Sequence, residues 1–324
     1  MNASARDALA AACEGRALNR SQTLNLIRTL PENGLRQLVA AAGSMAAGAE
    51  IRPFTCGIIN AKSGRCGEDC SFCAQSRYHK TQTPVYGLLE AEKVYEHACR
   101  LAERNVTRMG IVTSGGGPSG RDFEALCRMA ERITANLGIK LCASLGLLDR
   151  DQATSLRQAG FSSYHHNLET ARSYYGAICT THGYDLRVET VRRAKEAGLR
   201  VCSGGLFGLG ESWEQRLELA ETLHELDVDS IPINFLIPIP GTRLENATGL
   251  SVHDALALVA IFRLMHPGRD IVICGGRNRT LGEWDRVLAF AGANGLMVGD
   301  YLTTQGSPLD RDLEMLAQME ACCE

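Results

Sequence analysis

The stretch Arg65-Cys66-Gly67-Glu68-Asp69-Cys70-Ser71-Phe72-Cys73-Ala74-Gln75 sets three cysteines at CxxxCxxC spacing on a short polar loop. Thiolates are soft ligands that suit zinc or an iron–sulfur cluster. Three are one short of a closed tetrahedral zinc site, which ordinarily takes a fourth Cys or His close by. Apart from these three, no Cys or His lies between Lys62 and Tyr78. Three thiolates on a four-iron cube instead leave one iron open to a small molecule. The competing readings are a zinc knuckle completed by a distant residue and a chance cluster.

Working outward, the loop follows the apolar run Ile51–Ile58, the first of eight strand-like runs. The others are Thr107–Thr113, Lys140–Leu145, Ser162–Leu168, Arg200–Leu206, Ser230–Ile237, Asp270–Gly275 and Gly295–Gly299. Amphipathic runs of helical period alternate with them, at 88–104, 120–136, 150–159, 185–197, 212–226, 251–266, 281–291 and 309–320. Eight such units predict an α/β fold, a (β/α)8 TIM-type barrel over 51–306. Chemistry in such barrels gathers at the C-terminal ends of the strands, where the three-cysteine loop falls. Residues 1–50 read as an N-terminal helical extension, interrupted at Pro31-Glu32-Asn33-Gly34. Residues 307–324 read as a C-terminal helix and a frayed tail ending Cys322-Cys323-Glu324.

Bulk properties narrow the class. The chain has 324 residues, 45% of them hydrophobic, enough for a sizeable core. A net charge of −3 gives no sign of a nucleic-acid or membrane partner. No apolar run approaches the ~20 residues of a membrane span. Thirteen cysteines, with no secretory segment before them, point to reduced thiols, metal ligation and the cytoplasm.

CxxxCxxC is also the signature of the radical S-adenosylmethionine (SAM) superfamily. The wider run from Asn60-Ala61-Lys62-Ser63-Gly64-Arg65-Cys66 to Gln75-Ser76-Arg77-Tyr78 resembles the biotin synthases, and similar motifs recur as far as Leu302-Thr303-Thr304. The resemblance implies that Cys66, Cys70 and Cys73 hold a [4Fe–4S] cluster whose open iron binds SAM. It implies that Gly115 and Gly116 receive the methionine amino group and Arg187 its carboxylate. Asn167 and Glu169 fall at the ribose-binding positions, where the family usually has Asp in place of the glutamate. Gly208 falls in a turn that passes close to adenine. Asn234, with Asn167, matches the contacts to the ureido ring of dethiobiotin, and Thr303 and Thr304 lie near its carboxylate tail. Each residue has a plainer reading: a turn glycine, a solvated helix arginine, a hydrogen-bonded strand amide. His165 and His166 are read as hydrogen-bonded barrel residues, because neighbours on a strand point to opposite faces.

A second set of cysteines shares strand parity. Cys142, Cys202 and Cys274 lie in the third, fifth and seventh expected strands, and Cys56 in the first. Barrel interiors fill in layers of four side chains from alternate strands, so four thiols can enclose a second cluster. Each alone is as readily a small core residue. The resemblance implies an auxiliary [2Fe–2S] cluster held by three cysteines and an arginine. Cys142 and Cys202 match two of the cysteines, and Arg277 matches the arginine. Gly110 stands where the third cysteine is expected, whereas Cys274 and Cys56 are additional. The expectation is therefore a rebuilt auxiliary Fe–S cluster of four irons on Cys142, Cys202 and Cys274, completed by Cys56 or Arg277. Cys13, Cys99, Cys127 and Cys179 read as packing or surface residues. The implied activity is radical sulfur insertion into dethiobiotin, served by a reducing electron-transfer protein, with a homodimer as the implied assembly. The rival readings are a related hydrogenase-cofactor maturase or methylornithine-type mutase and, from another class, a zinc-stabilised binding module.

Overall fold

Strand parity sorts apolar from polar residues onto the two sides of one closed sheet. The computed structural model describes residues 1–31, 33–49, 51–118 and 120–321, so Cys322 and Cys323 lie outside the described residues. The strands are β1 Phe54–Lys62, β2 Arg108–Thr113, β3 Lys140–Ser144, β4 Ser163–His165, β5 Arg200–Cys202, β6 Gly205–Phe207, β7 Ser230–Phe235, β8 Asp270–Ile273 and β9 Gly295–Val298. All pairings between them are parallel, in the order β5-β4-β3-β2-β1-β9-β8-β7-β6. A pairing of Cys202 with Ser230 joins β5 to β7 and closes the sheet. Because β5 and β6 are halves of one stave, the barrel has eight staves, as the alternating pattern predicts.

The fifth stave is interrupted at Ser203-Gly204 for a local reason. Opposite it lies Pro232, which has no N–H to donate to a ladder. Gly204 packs so tightly there that an added Cβ would sit 2.0 Å from the Pro232 carbonyl oxygen. The fourth strand is also shorter than expected. It ends at His165, and His166 N and Leu168 N then donate to the Cys202 and Gly204 carbonyls of the fifth stave, each at 3.0 Å.

The helices are α1 Ala3–Cys13, α2 Arg20–Thr29, α3 Leu35–Gly48, α4 Ala91–Glu103, α5 Gly120–Asn136, α6 Arg150–Gln158, α7 Arg172–Ile178, α8 Tyr184–Glu196, α9 Trp213–Glu225, α10 Val252–Met265, α11 Arg277–Leu281 and α12 Leu309–Ala321. Two depart from the sequence reading. The seven-residue α7 is additional. The run expected at 281–291 is instead α11 and a 3-10 turn over Gly282–Val287. Outward strand residues such as Leu141, Ala143, Ile231, Ile233, Ile271 and Leu296 are buried beneath the helices. Every residue of α10 from Ala255 to Met265 is buried, because α3 covers the side that the barrel does not. Among the described residues, no helix is long and apolar enough to cross a membrane.

Candidate active site

The inward parity positions do not fill the barrel with apolar side chains. They surround a cavity of about 570 Å³. Its lower wall carries Arg108, Lys140 and Arg200, and its middle carries Cys56, Cys142, Cys202 and Cys274. All four thiols therefore face one space, as their common parity predicts. None is in a disulfide. Burial pushes the Cys56 thiol up to about 12 and Cys142 to about 11, and it also raises Cys202 and Cys274. Cys202 is raised further by Cys142, Cys274 and Cys56, which share its cavity. Such thiols stay protonated unless a metal ion displaces the proton, so the donor set fits an iron–sulfur cluster.

Arg277 is not on that wall. Its guanidinium lies 2.5 Å from Asp312 Oδ1 on α12 and donates to Ser307 Oγ at 3.2 Å. Both partners of the ion pair are fully buried. Only Nη2 is engaged there: Arg277 Nε and Nη1 are buried without partners among the described residues, and its charge lowers Cys274 against the effect of burial. A second arginine near the thiols is Arg108, whose charge lowers Cys56, Cys142 and Cys202 against the effect of burial. It stacks 3.5 Å over the Phe54 ring and pairs with Asp270 at 3.1 Å. Sequence reading passed over it, although its parity places it inside, one pairing across from Cys56.

The rim of the cavity holds Cys73, Gly115, Asn167, Glu169, Arg187, Asn234, Thr303 and Thr304. Arg187 reaches back from α8 to the end of β4. Its Nη1 donates to the Asn167 carbonyl at 2.8 Å and lies 3.4 Å from Glu169 Oε1, and its Nε donates to Tyr175 Oη at 2.7 Å. Glu169 holds a left-handed backbone, φ 69°, rare outside glycine and typical of residues a site keeps under strain. Burial raises its carboxyl above the ordinary value, and Arg187 opposes that. Asn167 Oδ1 accepts from Gly204 N at 3.2 Å. Asn234 donates to the Gly205 carbonyl at 3.2 Å and accepts from Gly275 N at 3.1 Å, bracing β6 to β8. Gly115 has φ 123° and no atom within 4 Å of an added Cβ.

Gly116 and Gly208 do not line the cavity. A Cβ at Gly116 would meet Glu68 Oε1 at 2.9 Å, and one at Gly208 would press on the Gly249–Leu250 backbone at 3.2–3.3 Å. Both glycines serve close packing. His165 and His166 both line the cavity, because the strand ends between them and releases the alternation. His165 Nδ1 lies 3.4 Å from Cys202 Sγ, and burial lowers this imidazole to about 4. His166 Nε2, on the cavity wall, is buried without a partner among the described residues, which suits a polar occupant.

The three-cysteine loop folds back on itself directly above. Cys66 N donates to the Gln75 carbonyl at 3.0 Å, Arg77 N to the Cys66 carbonyl at 2.9 Å, and Cys73 N to the Cys70 carbonyl at 3.0 Å. Gln75 Oε1 accepts from Ser63 Oγ and Gly64 N, fixing the loop to the end of β1. Burial pushes Cys73 up to about 11. Cys70 is raised first by a hydrogen bond with Cys179 and then by burial. Cys179, a packing or surface residue in the sequence reading, is buried beside Cys70.

A closed parallel barrel with a CxxxCxxC loop above the first strand defines the class: this is a radical SAM barrel. The radical SAM superfamily model matches residues 61–223, and that of the Biotin and Thiamin Synthesis associated domain matches 232–321. A biotin synthase from Nitratidesulfovibrio vulgaris (strain Miyazaki F) is 53% identical over 304 residues, covering 90% of this chain and 83% of the relative. One from Pelotomaculum thermopropionicum is 50% identical over 265 residues, covering 82% and 83%. The chain belongs to the biotin synthase family, which implies a [4Fe–4S] cluster and SAM. Solved structures share the fold at lower identity. Methylornithine synthase superposes with a TM-score of 0.82 at 23% identity, covering 97% of this chain and 95% of that one. The [FeFe]-hydrogenase maturase of Carboxydothermus hydrogenoformans gives 0.83 at 18%, covering 97% and 77%.

Proposed function

We propose that this chain converts dethiobiotin to biotin by inserting one sulfur atom between two unactivated carbons. One observation carries the reading: a single cavity has the Asn167–Glu169–Arg187 rim beside Cys73 and four thiols on its wall. When bound, a [4Fe–4S] cluster with SAM supplies a radical able to take hydrogen from carbon, which no side-chain acid or base does. Cys66, Cys70 and Cys73 would hold that cluster. Arg187 commits Nε and Nη1 to the protein and leaves Nη2 for the SAM carboxylate, a charge-assisted contact. Glu169 and Asn167 would take the ribose hydroxyls, and the bare backbone at Gly115 the methionine amino group.

Dethiobiotin would lie between this rim and the thiols. Asn234 keeps one amide hydrogen and one lone pair beyond its two backbone bonds, enough for a ureido group. Thr303 and Thr304 close the cavity near the substrate's carboxylate tail. Cys142, Cys202 and Cys274, completed by Cys56 or Arg277, would hold an auxiliary Fe–S cluster, the source of the sulfur atom. Four ligands of this kind would complete either a four-iron cluster or the two-iron one usual in the family, which the iron count distinguishes. The barrel wall excludes water from reactive carbon and orients the three partners along one axis. An electron-transfer protein of low potential would deliver the reducing equivalent, and two copies of the chain would pair as a homodimer.

The test uses anaerobic protein with SAM, reductant and dethiobiotin, scoring 5′-deoxyadenosine and biotin together. Cys142→Ala and Cys202→Ala should still cleave SAM and make no biotin. A normal biotin yield from either variant removes the sulfur-donor role. A maturase or a mutase has no need of four thiols around one cavity, and a zinc module would be colourless rather than brown.

A further inference from the structure

Away from the central cavity, the fold brings together three donors of different chemistry. Glu68 lies in the cluster loop, two residues before Cys70, whereas Cys179 and His182 lie on the turn between α7 and α8. None of the three lines the cavity. Their donor atoms all fall within 4.8 Å of one another.

Contacts that do not involve these donors fix the two segments together. Ser71 N donates to the Ile178 carbonyl at 2.8 Å. Thr180 N and Oγ1 donate to the Asp69 carboxylate at 2.8 and 2.6 Å. Arg243 Nη2 donates to the carbonyls of Asp69 at 2.5 Å and Ile178 at 3.2 Å. The backbone thus presents the donors before anything binds, which lowers the ordering cost of binding.

The spacing suits a small tetrahedral ion. With about 2.3 Å to sulfur and about 2.0 Å to nitrogen or oxygen, the S···N edge is about 3.5 Å and the N···O edge about 3.3 Å. Cys179 Sγ and His182 Nδ1 are already 3.5 Å apart. His182 Nδ1 and Glu68 Oε2 are 2.6 Å apart, a distance bridged by a proton. An ion in its place moves the carboxylate back by about 0.7 Å, a small rotation of one glutamate. The charges also close: one thiolate, one carboxylate and a neutral imidazole balance a divalent cation. His182 Nε2 lies 2.7 Å from Tyr175 Oη, the outer partner that orients a ligating imidazole. Cys179 and the His182 side chain are buried, and the Glu68 side chain is 23% exposed, leaving a side for water as fourth ligand.

We propose that Glu68, Cys179 and His182 bind one divalent ion of the zinc type, sharing no ligand with either cysteine set though Cys179 borders Cys70, that pins the cluster loop to the α7–α8 turn. Sulfur and imidazole donors select zinc over magnesium or calcium.

The experiment takes cluster-loaded, full-length protein, adds zinc chloride anaerobically, desalts it, and measures zinc and iron together. The parent retains about one zinc per chain with its iron unchanged, and the zinc K-edge shows one sulfur at about 2.3 Å and three light atoms at about 2.0 Å. Cys179→Ala and His182→Gln each lower retained zinc at least about tenfold, the loss expected when one of three protein ligands is removed. Their iron content stays at the parental value. If Cys179→Ala does not fold, His182→Gln decides alone, because it keeps the size and polarity of the side chain. Three outcomes overturn the assignment: a parent that retains no zinc, a sulfur-rich zinc shell accompanied by iron loss, or variants that retain parental zinc. None of these readouts depends on biotin formation.

Discussion

Arg187→Met removes a buried cation and keeps most of the side-chain stem. Arg187 and Glu169 are 10% and 15% exposed at their side chains, and Nη1 lies 3.4 Å from Oε1. At an effective dielectric near 20, that separation gives a gross attraction of about 5 kcal/mol. Desolvation of the carboxylate opposes it, as the raised Glu169 carboxyl shows. Removing one member of such a pair leaves the other buried and uncompensated, at about 3–5 kcal/mol. The Asn167 carbonyl and the Tyr175 hydroxyl lose their donor as well. Urea unfolding of the reduced protein should show this loss, and Glu169→Gln added to Arg187→Met should recover at least half of it. The penalty also depends on pH with a definite sign. Burial raises the folded pKa of Glu169, and removing Arg187 raises it further. A carboxyl raised on folding costs nothing below its unfolded value of about 4.3 and destabilises as pH climbs through its folded value. The variant should therefore lie closest to the parent near about pH 5 and furthest from it near about pH 8. Loss of a charge-assisted contact of about 1.5–3 kcal/mol should weaken SAM binding about 10- to 100-fold in equilibrium dialysis. A double variant no more stable than Arg187→Met would refute the ion-pair reasoning, and unchanged SAM affinity would refute the carboxylate contact.

Other consequences are more quickly checked. Reconstituted protein should bind about eight irons per chain if both clusters have four, and a count near six with a two-iron spectrum would restore the usual family arrangement. Arg108→Leu removes the cation facing the thiols, so iron should fall by the auxiliary cluster's share while SAM cleavage persists; full iron retention would show that Arg108 serves only Asp270 and Phe54. Gly204→Ala places a Cβ 2.0 Å from the Pro232 carbonyl oxygen, a clash beyond ordinary overpacking, and should cost more than about 3 kcal/mol by chemical denaturation. Asp312→Asn strands the buried Arg277 cation and should lower stability by about 3–5 kcal/mol, whereas a change below about 1 kcal/mol would show that the guanidinium finds another partner.

Local chemistry wrote the frame of this protein into its sequence. The alternation of apolar and amphipathic runs gave eight βα units, because strand and helix periods are properties of neighbouring residues. The CxxxCxxC spacing placed the thiols of one loop, and common parity placed Cys56, Cys142, Cys202 and Cys274 on one face. Closure of the barrel decided the rest. It put Arg108 beside the thiols, because register across strands sets which side chains meet, and it brought Asp312 of α12 to Arg277 of α11. It committed Asn234 partly to the backbone of its neighbours and reserved Gly116 and Gly208 for tight packing. It also carried Cys179 and His182 to Glu68, more than a hundred residues earlier in the chain. No periodicity reports such a meeting, because the bonds that make it belong to two loops that approach only once the sheet has closed.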